Sequence, residues 1–154
     1  MDESEKKLIA VNRKARFNYE IEEDIECGIE LQGSEVKSFR LGKISFPDAF
    51  AVIENGEVWL RNLHVAEYIF SSVFNHDPDR RRKLLLHKQE IKRLKRKVDE
   101  RGYTLVPLSF YFKNGRVKVN LGICRGKKAA DKRATIKDRD IKRDTQRELR
   151  ERNR

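Results

Sequence analysis

The chain has 154 residues, enough for one domain with an appendage, and 38% hydrophobic against 40% charged residues imply a modest core beneath a heavily charged surface. Its net charge of +11 is concentrated: residues 79–101 hold 11 Lys/Arg against 4 Asp/Glu, residues 125–154 hold 13 against 6, and the remainder is slightly acidic. Two basic blocks on a near-neutral body point to a polyanion, nucleic acid first and an anionic membrane surface second; the lack of any apolar run near ~20 residues and the acidic start MDESEKK speak against a membrane-spanning or secreted protein.

In chain order, residues 1–7 are polar and expected to be mobile, and the apolar run Leu8-Ile9-Ala10-Val11 is expected to dock on the body. Asn12, Arg13, Lys14 and Arg16 make a short basic segment. Phe17, Tyr19 and Ile21, then Ile25, Cys27, Ile29 and Leu31, alternate with polar residues and predict two strands split near Glu22-Glu23-Asp24. Residues 33–42 read as a short helix. Val36 and Phe39 face inward, Ser34 is placed to cap the start, and Gly42 suits a left-handed stop.

Asn55-Gly56 joins Phe50, Val52 and Ile53 to Val58, Trp59 and Leu60 as a hairpin, because both turn positions need φ > 0. Leu63 and Val65 are expected to continue its second strand. Residues 70–79 read as a loop, followed by a long helix whose start carries Arg80-Arg81-Arg82-Lys83-Leu84-Leu85-Leu86-His87. Ile91, Leu94 and Val98 mark its apolar face and Gly102 its end. A second hairpin turns at Asn114-Gly115, with an aromatic-rich strand before it (Leu105 to Phe112) and Val117, Val119 and Leu121 alternating inward after it.

Two Asn-Gly hairpins, many short strands and two helices predict a mainly β fold, a small antiparallel barrel decorated by helices. The division expected is a body over residues 1–126 and a basic tail over 127–154. The tail's few apolar residues, Ile136, Ile141 and Leu149, cannot hold it on the body, so it is expected to be disordered alone and helical when bound.

Motifs for chemistry are weak. Ser34-x-x-Lys37 has the spacing of a Ser–Lys pair, but a cap with a solvated lysine explains it. His76-Asp77 before Pro78 reads as a turn rather than an acid–base pair. Cys27, Cys124 and the histidines show no metal-ligand spacing, and the two cysteines read as small buried strand residues in a reducing cytoplasm. The block from Arg80 to His87 is more informative: Leu84 and Leu86 suit a core, His87 suits a helix N-cap, and apolar or imidazole groups beside cations also engage unstacked bases.

Four stretches together resemble one family: Asn12-Arg13-Lys14-Ala15-Arg16, GIELQGSEVKSFRLGK (28–43), FNHDPDRRRKLLLHKQEI (74–91) and KNGRVKVNLGICRGKKAADKR (113–133). In that combination and order the chain resembles the SsrA-binding proteins (small protein B) of bacterial trans-translation. The resemblance implies a six-stranded, OB-like antiparallel barrel with three helices and a basic tail, working in the cytoplasm without cofactor or metal. It implies binding to the tRNA-like domain of transfer-messenger RNA (SsrA RNA) and delivery of that RNA, with elongation factor Tu in the RNA complex, to stalled ribosomes, where the tail enters the message channel near the decoding centre. No chemistry is implied for the protein itself.

Position by position, the resemblance makes Glu26, Leu85 and His87 RNA-facing; Asn12 and the basic residues Lys14, Arg16, Arg80, Arg82 and Lys83 complete the expected RNA-binding set. Lys127, Lys128, Asp131, Lys132 and Arg133 form the expected ribosome-binding tail. The chain departs from the family at Ala130, where a stacking His or Tyr is common, and at Phe17, which replaces a frequent His. The competing function is a general single-strand binder with an OB-type barrel; an enzyme such as a small nuclease would need a carboxylate–metal or histidine site that the sequence does not display.

Overall fold

The computed structural model of the chain describes residues 6–70 and 75–126. In chain order these form β1 (Lys7–Val11), α1 (Arg13–Asn18), β2 (Tyr19–Ile29), α2 (Gly33–Arg40), β3 (Ile44–Ser45), β4 (Phe50–Glu54), β5 (Glu57–Arg61), β6 (His64–Val65), β7 (Arg82–Leu85), α3 (Lys88–Arg101), β8 (Thr104–Lys113) and β9 (Arg116–Gly126). Six strands close into an antiparallel ring, β8-β4-β5-β7-β2-β9, with β9 pairing back onto β8. β1 adds to β8 along residues 109–112, beyond the point where β4 meets Leu105. β3 and β6 make a separate two-stranded pair.

Both Asn-Gly turns form as expected, with φ of 52° and 73° at Asn55 and Gly56 and 54° and 73° at Asn114 and Gly115. The period of two then decides what fills the ring. Val117, Val119, Leu121 and Ile123 of β9 meet Leu105 and Phe110 of β8, Val58 and Leu60 of β5, Leu84 of β7 and Cys27 of β2. α2 inserts Phe39, whose ring lies 5.4 Å from Phe110; Phe46 meets Phe110 edge-on at 4.8 Å. α3 buries Leu94 completely and rests Ile91 and Val98 on the core. Gly102, at φ 66°, ends α3 in the left-handed region.

Several elements differ from expectation. The two strands anticipated between Phe17 and Leu31 are one strand, β2, and in place of a turn at Glu22-Glu23-Asp24 there is a one-residue β-bulge at Glu22, with Glu23 and Asp24 paired to β9. The strand carries its acidic cluster through because its neighbours supply partners: Arg93 bonds Glu23 at 2.6 Å, Arg125 bonds Glu20 at 3.0 Å and Asn120 donates to Asp24 at 3.3 Å. Phe17 belongs to a third helix, α1, which the hydrophobic pattern alone did not reveal. α1 lies on the outside of β8 and β9, where Ala15 packs on Val106 and Cys124. That covering helix is why β9 is buried on both faces from Leu121 to Cys124.

Ser34 does not cap α2. Gln32 is the N-cap, with its N–H donating to Glu35 at 2.8 Å, and Ser34 instead bonds His76 Nδ1 at 2.8 Å. Leu63 and Val65 do not prolong β5, because Asn62 turns the chain at φ 61° and β6 pairs with β3. Arg82–Leu85 is a strand, not the first turn of α3; the helix starts after His87. Asp77 closes a local turn by accepting from the Asp79 N–H at 3.0 Å. Both cysteines are buried and unpaired, and burial pushes their thiols up to about 12 for Cys27 and about 11 for Cys124. Among the described residues, no helix is long and apolar enough to cross a membrane.

Candidate nucleic-acid interface

Strand alternation places Glu26 and Gly28 on the outer face of β2, and β7 sets Leu85 directly opposite Gly28. On the other side of β2, Lys118 of β9 faces Gly28, and Tyr111 of β8 faces Lys118. One row across four strands is therefore Leu85, Gly28, Lys118 and Tyr111. A Cβ on Gly28 would lie 3.1 Å from that of Leu85, so the glycine lets the leucine lie over the sheet. Leu85 remains 49% exposed, an apolar group offered to solvent beside cations.

Glu26 is held from three sides. Its carboxylate accepts from the Tyr111 hydroxyl and from Lys113 Nζ at 3.2 Å, and Lys6 Nζ lies 3.8 Å away. The Tyr111 hydrogen bond, reinforced by Lys113 and Lys6, holds the carboxyl below its usual range against the upward push of burial. Burial first, and Glu26 second, push the Tyr111 phenol well above its ordinary value. The carboxylate is thereby neutralised by two lysines, and its remaining acceptor capacity is of the kind that can take base or sugar donors.

His87 follows Leu85 by two residues and is the N-cap of α3; its N–H donates to Glu90 Oε1 at 2.9 Å, and its ring is exposed. Beyond it, α3 presents Lys88, Lys92, Lys95 and Arg96 to solvent. The helix thus continues the Glu26–Leu85–His87 face as a cationic strip.

The other sequence-predicted residues divide. Lys83 shares the outer face of β7 with Leu85 and donates to Glu57 at 2.8 Å, which raises its pKa. Lys14 and Arg16 are exposed on α1; Lys14 lies 3.9 Å from Asp48, and Arg16 rims a depression shared with Asp24, Ser109 and Asn120. A neighbouring depression of about 450 Å³ joins those three residues to Lys6, Glu26 and Tyr111. Arg16 and Glu26 are thereby linked across one surface.

Asn12 and Arg82 are buried rather than offered on that surface, although Asn12 lines the floor of the depression beside Arg16. Asn12 caps α1, accepting from the Ala15 N–H at 3.1 Å and donating to Pro107 O at 3.0 Å. Arg82 points inward and is fully buried; it donates to Glu35 Oε2 at 2.6 Å, to Leu63 O at 2.6 Å and to the carbonyls of Asp77 and Pro78. Arg80 reaches the same Glu35 from the rim, partly exposed. Arginine number in the block did not reveal which member was internal; strand parity does, since Arg82 and Leu84 share one face and Arg81, Lys83 and Leu85 the other. Lys127, Lys128, Asp131, Lys132 and Arg133 lie outside the described residues.

Sequence reasoning missed Tyr111, Lys113 and Lys6. The signal was present for Tyr111: counting back from the two-residue turn at Asn114-Gly115 pairs it with Lys118, on the outward set.

Comparison with known proteins identifies the family. The model of the family described as "SmpB protein" matches residues 9–151. An SsrA-binding protein of Treponema denticola is 69% identical over 149 residues, 97% of each chain. One from Thermosynechococcus vestitus is 54% identical over 147 residues, 95% of this chain and 97% of the relative. A solved structure described as "tmRNA-SmpB: a journey to the center of the bacterial ribosome" superposes with a TM-score of 0.65 at 55% identity, covering 78% of this chain and 85% of the other. With nearly its whole length matched and the six-stranded ring and three helices in place, the chain belongs to the SmpB family of SsrA-binding proteins.

Proposed function

We propose that the chain binds the tRNA-like domain of transfer-messenger RNA and carries it to stalled ribosomes for trans-translation. The observation that carries this reading is near full-length identity to SsrA-binding proteins, joined to a body whose outer face sets Leu85, His87 and a lysine-neutralised Glu26 beside the cations of α3. The partners are that RNA and the ribosome, with elongation factor Tu reached through the RNA complex. The chain does no chemistry of its own in this reading, and its work on the ribosome is cytoplasmic.

The RNA contacts proposed are Glu26, Leu85 and His87 for bases and sugars, with Lys14, Arg16, Arg80 and Lys83 at the margins for phosphates. The ribosome contacts proposed are the tail residues Lys127, Lys128, Asp131, Lys132 and Arg133. Recovering the protein from its own cells and sequencing the co-purifying RNA tests the reading. Transfer-messenger RNA should dominate; a mixture tracking general RNA abundance would overturn it in favour of an unselective binder.

Log affinity for the tRNA-like RNA should fall linearly with log salt, with a slope of roughly 0.7–0.9 per phosphate neutralised. A flat response would contradict the role given to the α3 cations.

His87→Ala should weaken RNA binding with little change in thermal unfolding. Its N–H bond to Glu90 survives in any variant, while the exposed ring, which closes the other half of the α3 capping box and is the group offered to RNA, is lost, so unfolding should shift by no more than the ~1 kcal/mol of an N-cap. His87→Asn should retain most affinity, since asparagine also donates and accepts. Glu26→Ala should cost selectivity among RNAs more than raw affinity, because Lys6 and Lys113 remain. Unchanged binding by both alanine variants would remove these residues from the interface.

A further inference from the structure

β1 is an edge strand. It pairs with β8 alone, and among the described residues its ladder with β8 accounts for all the backbone hydrogen bonds of residues 7–11. The Asn12 N–H donates to Leu108 O at 2.7 Å, so alternation along an antiparallel ladder turns the N–H and C=O of Val11 away from β8. Leu8 has the same phase, because its partner Tyr111 stands two residues from Ser109, the partner of Val11, and the bulge between Leu8 and Ala10 absorbs the extra residue. Unpaired edge groups of this kind are a template for another strand.

A groove runs beside that edge. Residues 7–9 line a depression of about 470 Å³ with residues 39–42 at the end of α2, and residues 10–14 line a second, of about 330 Å³, with residues 44–47. The two walls advance together along the chain, so the depressions lie end to end along β1. Six large apolar side chains are exposed among the described residues, and three of them, Leu8, Val11 and Leu41, line this groove. Clustered exposure of that kind marks a docking surface. The lining includes Lys7, Arg13, Lys14 and Arg40 and no carboxylate. Lys14 lies 3.9 Å from Asp48; the other three cations meet no acid among the described residues.

An occupant must bring strand backbone, apolar side chains and negative charge. A second copy of the chain lacks the charge, since antiparallel pairing of two β1 strands brings the Lys6–Lys7 end of one to the Arg13–Lys14 end of the other. Residues 125–154 lack it too, with 13 Lys/Arg against 6 Asp/Glu. An RNA strand has the charge but no peptide groups to pair with the edge. We infer that β1 takes an extended acidic peptide from a partner protein as a further strand. Its alternate apolar side chains rest against Leu8, Val11 and Leu41, and its carboxylates meet Lys7, Arg13 and Arg40. This surface does not depend on the RNA-binding reading.

The test titrates the full isotope-labelled chain with a nine-residue peptide of alternating valine and glutamate. The amides of Leu8 and Val11 should gain protection from hydrogen exchange as the peptide binds. A valine–lysine peptide of equal length should bind roughly tenfold more weakly, the scale of two exposed ion pairs. Lys7→Glu with Arg40→Glu should reverse that preference. Val11→Pro removes an outward N–H and no bond to β8, so it should weaken the acidic peptide; if it does not fold, the charge reversal decides. Equal binding of the two peptides, or protection confined to residues outside the groove, would overturn the inference. Protection of the two amides before peptide is added would overturn it by showing that the chain covers its own edge. Protection by an oligouridine in place of the peptide, or self-association through β1, would assign the groove to RNA or to a second copy and overturn it as well.

Discussion

Arg82→Ala is expected to destabilise the body by about 3–5 kcal/mol, because it removes one partner of a buried ion pair and strands the other. Arg82 and Glu35 are both fully buried side chains, and the guanidinium also satisfies the carbonyls of Leu63, Asp77 and Pro78. Arg80 alone cannot replace those bonds from the rim. Urea unfolding reads the loss, and a change below about 1 kcal/mol would contradict a structural role on this scale. Replacing Arg82 and Glu35 together by leucine should cost less than Arg82→Ala alone, since no charge is left unpaired.

The same network sets an acid limit. Burial pushes the Glu35 carboxyl up, but hydrogen bonds from Arg80, from the Gln32 N–H and from Arg82 outweigh it, and the folded value lies below the ordinary 4.5. The unfolded state therefore binds its proton first as pH falls. The stabilisation is complete above the ordinary value and drains away as pH drops through the lowered folded value. Glu35→Gln should flatten this part of the stability–pH profile. Where Arg82→Ala remains folded, RNA affinity should be little changed, because Arg82 has no surface to give to a phosphate.

Changing Asp131, Lys132 and Arg133 together to alanine is expected to abolish most peptide tagging on a stalled message while leaving most RNA binding intact. The proposed RNA face lies wholly within residues 6–126, so removing tail charge leaves it whole. A cationic segment gains most where phosphates surround it, and Lys132 and Arg133 supply that charge, Arg133 with a planar fork able to grip a phosphate or stack on a base. Asp131 is assigned a capping role, as its charge opposes the contact. A reconstituted tagging assay beside RNA binding of the same variant separates the steps. Full tagging would refute the tail's role, and parallel loss of both would move the tail into the RNA site. Ala130→His should improve tagging if a stacking ring is wanting at this position.

What the sequence made legible followed from local chemistry. Asn-Gly pairs fixed two hairpins and, through them, the register of β8 on β9. Alternation in β9 named its inward set, and Ile91, Leu94 and Val98 named the buried side of α3. What it hid depended on partners distant in the chain. β2 looked like two strands because Glu22-Glu23-Asp24 resembles a turn until Arg93, Arg125 and Asn120 arrive to bond it and its flank. α1 escaped notice because six residues give a helical period little room, and its cover over Val106 and Cys124 is a tertiary fact.

The candidate site was legible only in part. Glu26, Leu85 and His87 were named from family resemblance; that Glu26 and Leu85 share one outer face depends on the Gly28–Leu85 register, which no local pattern specifies. The arginine run misled at Arg82, since composition cannot tell which of four cations a buried glutamate will claim. Tyr111 was overlooked because, between Phe110 and Phe112, it reads as core; only the hairpin register turns it toward Glu26.

Competitive binding tests the central claim most directly. The labelled tRNA-like domain of transfer-messenger RNA is challenged with an unstructured RNA of equal length, at low and at physiological salt. The account predicts that the folded domain wins at both, and by more at the higher salt, where phosphate attraction weakens and the contacts of Glu26, Leu85 and His87 remain. Equal competition at physiological salt would contradict it and leave a general single-strand binder in its place.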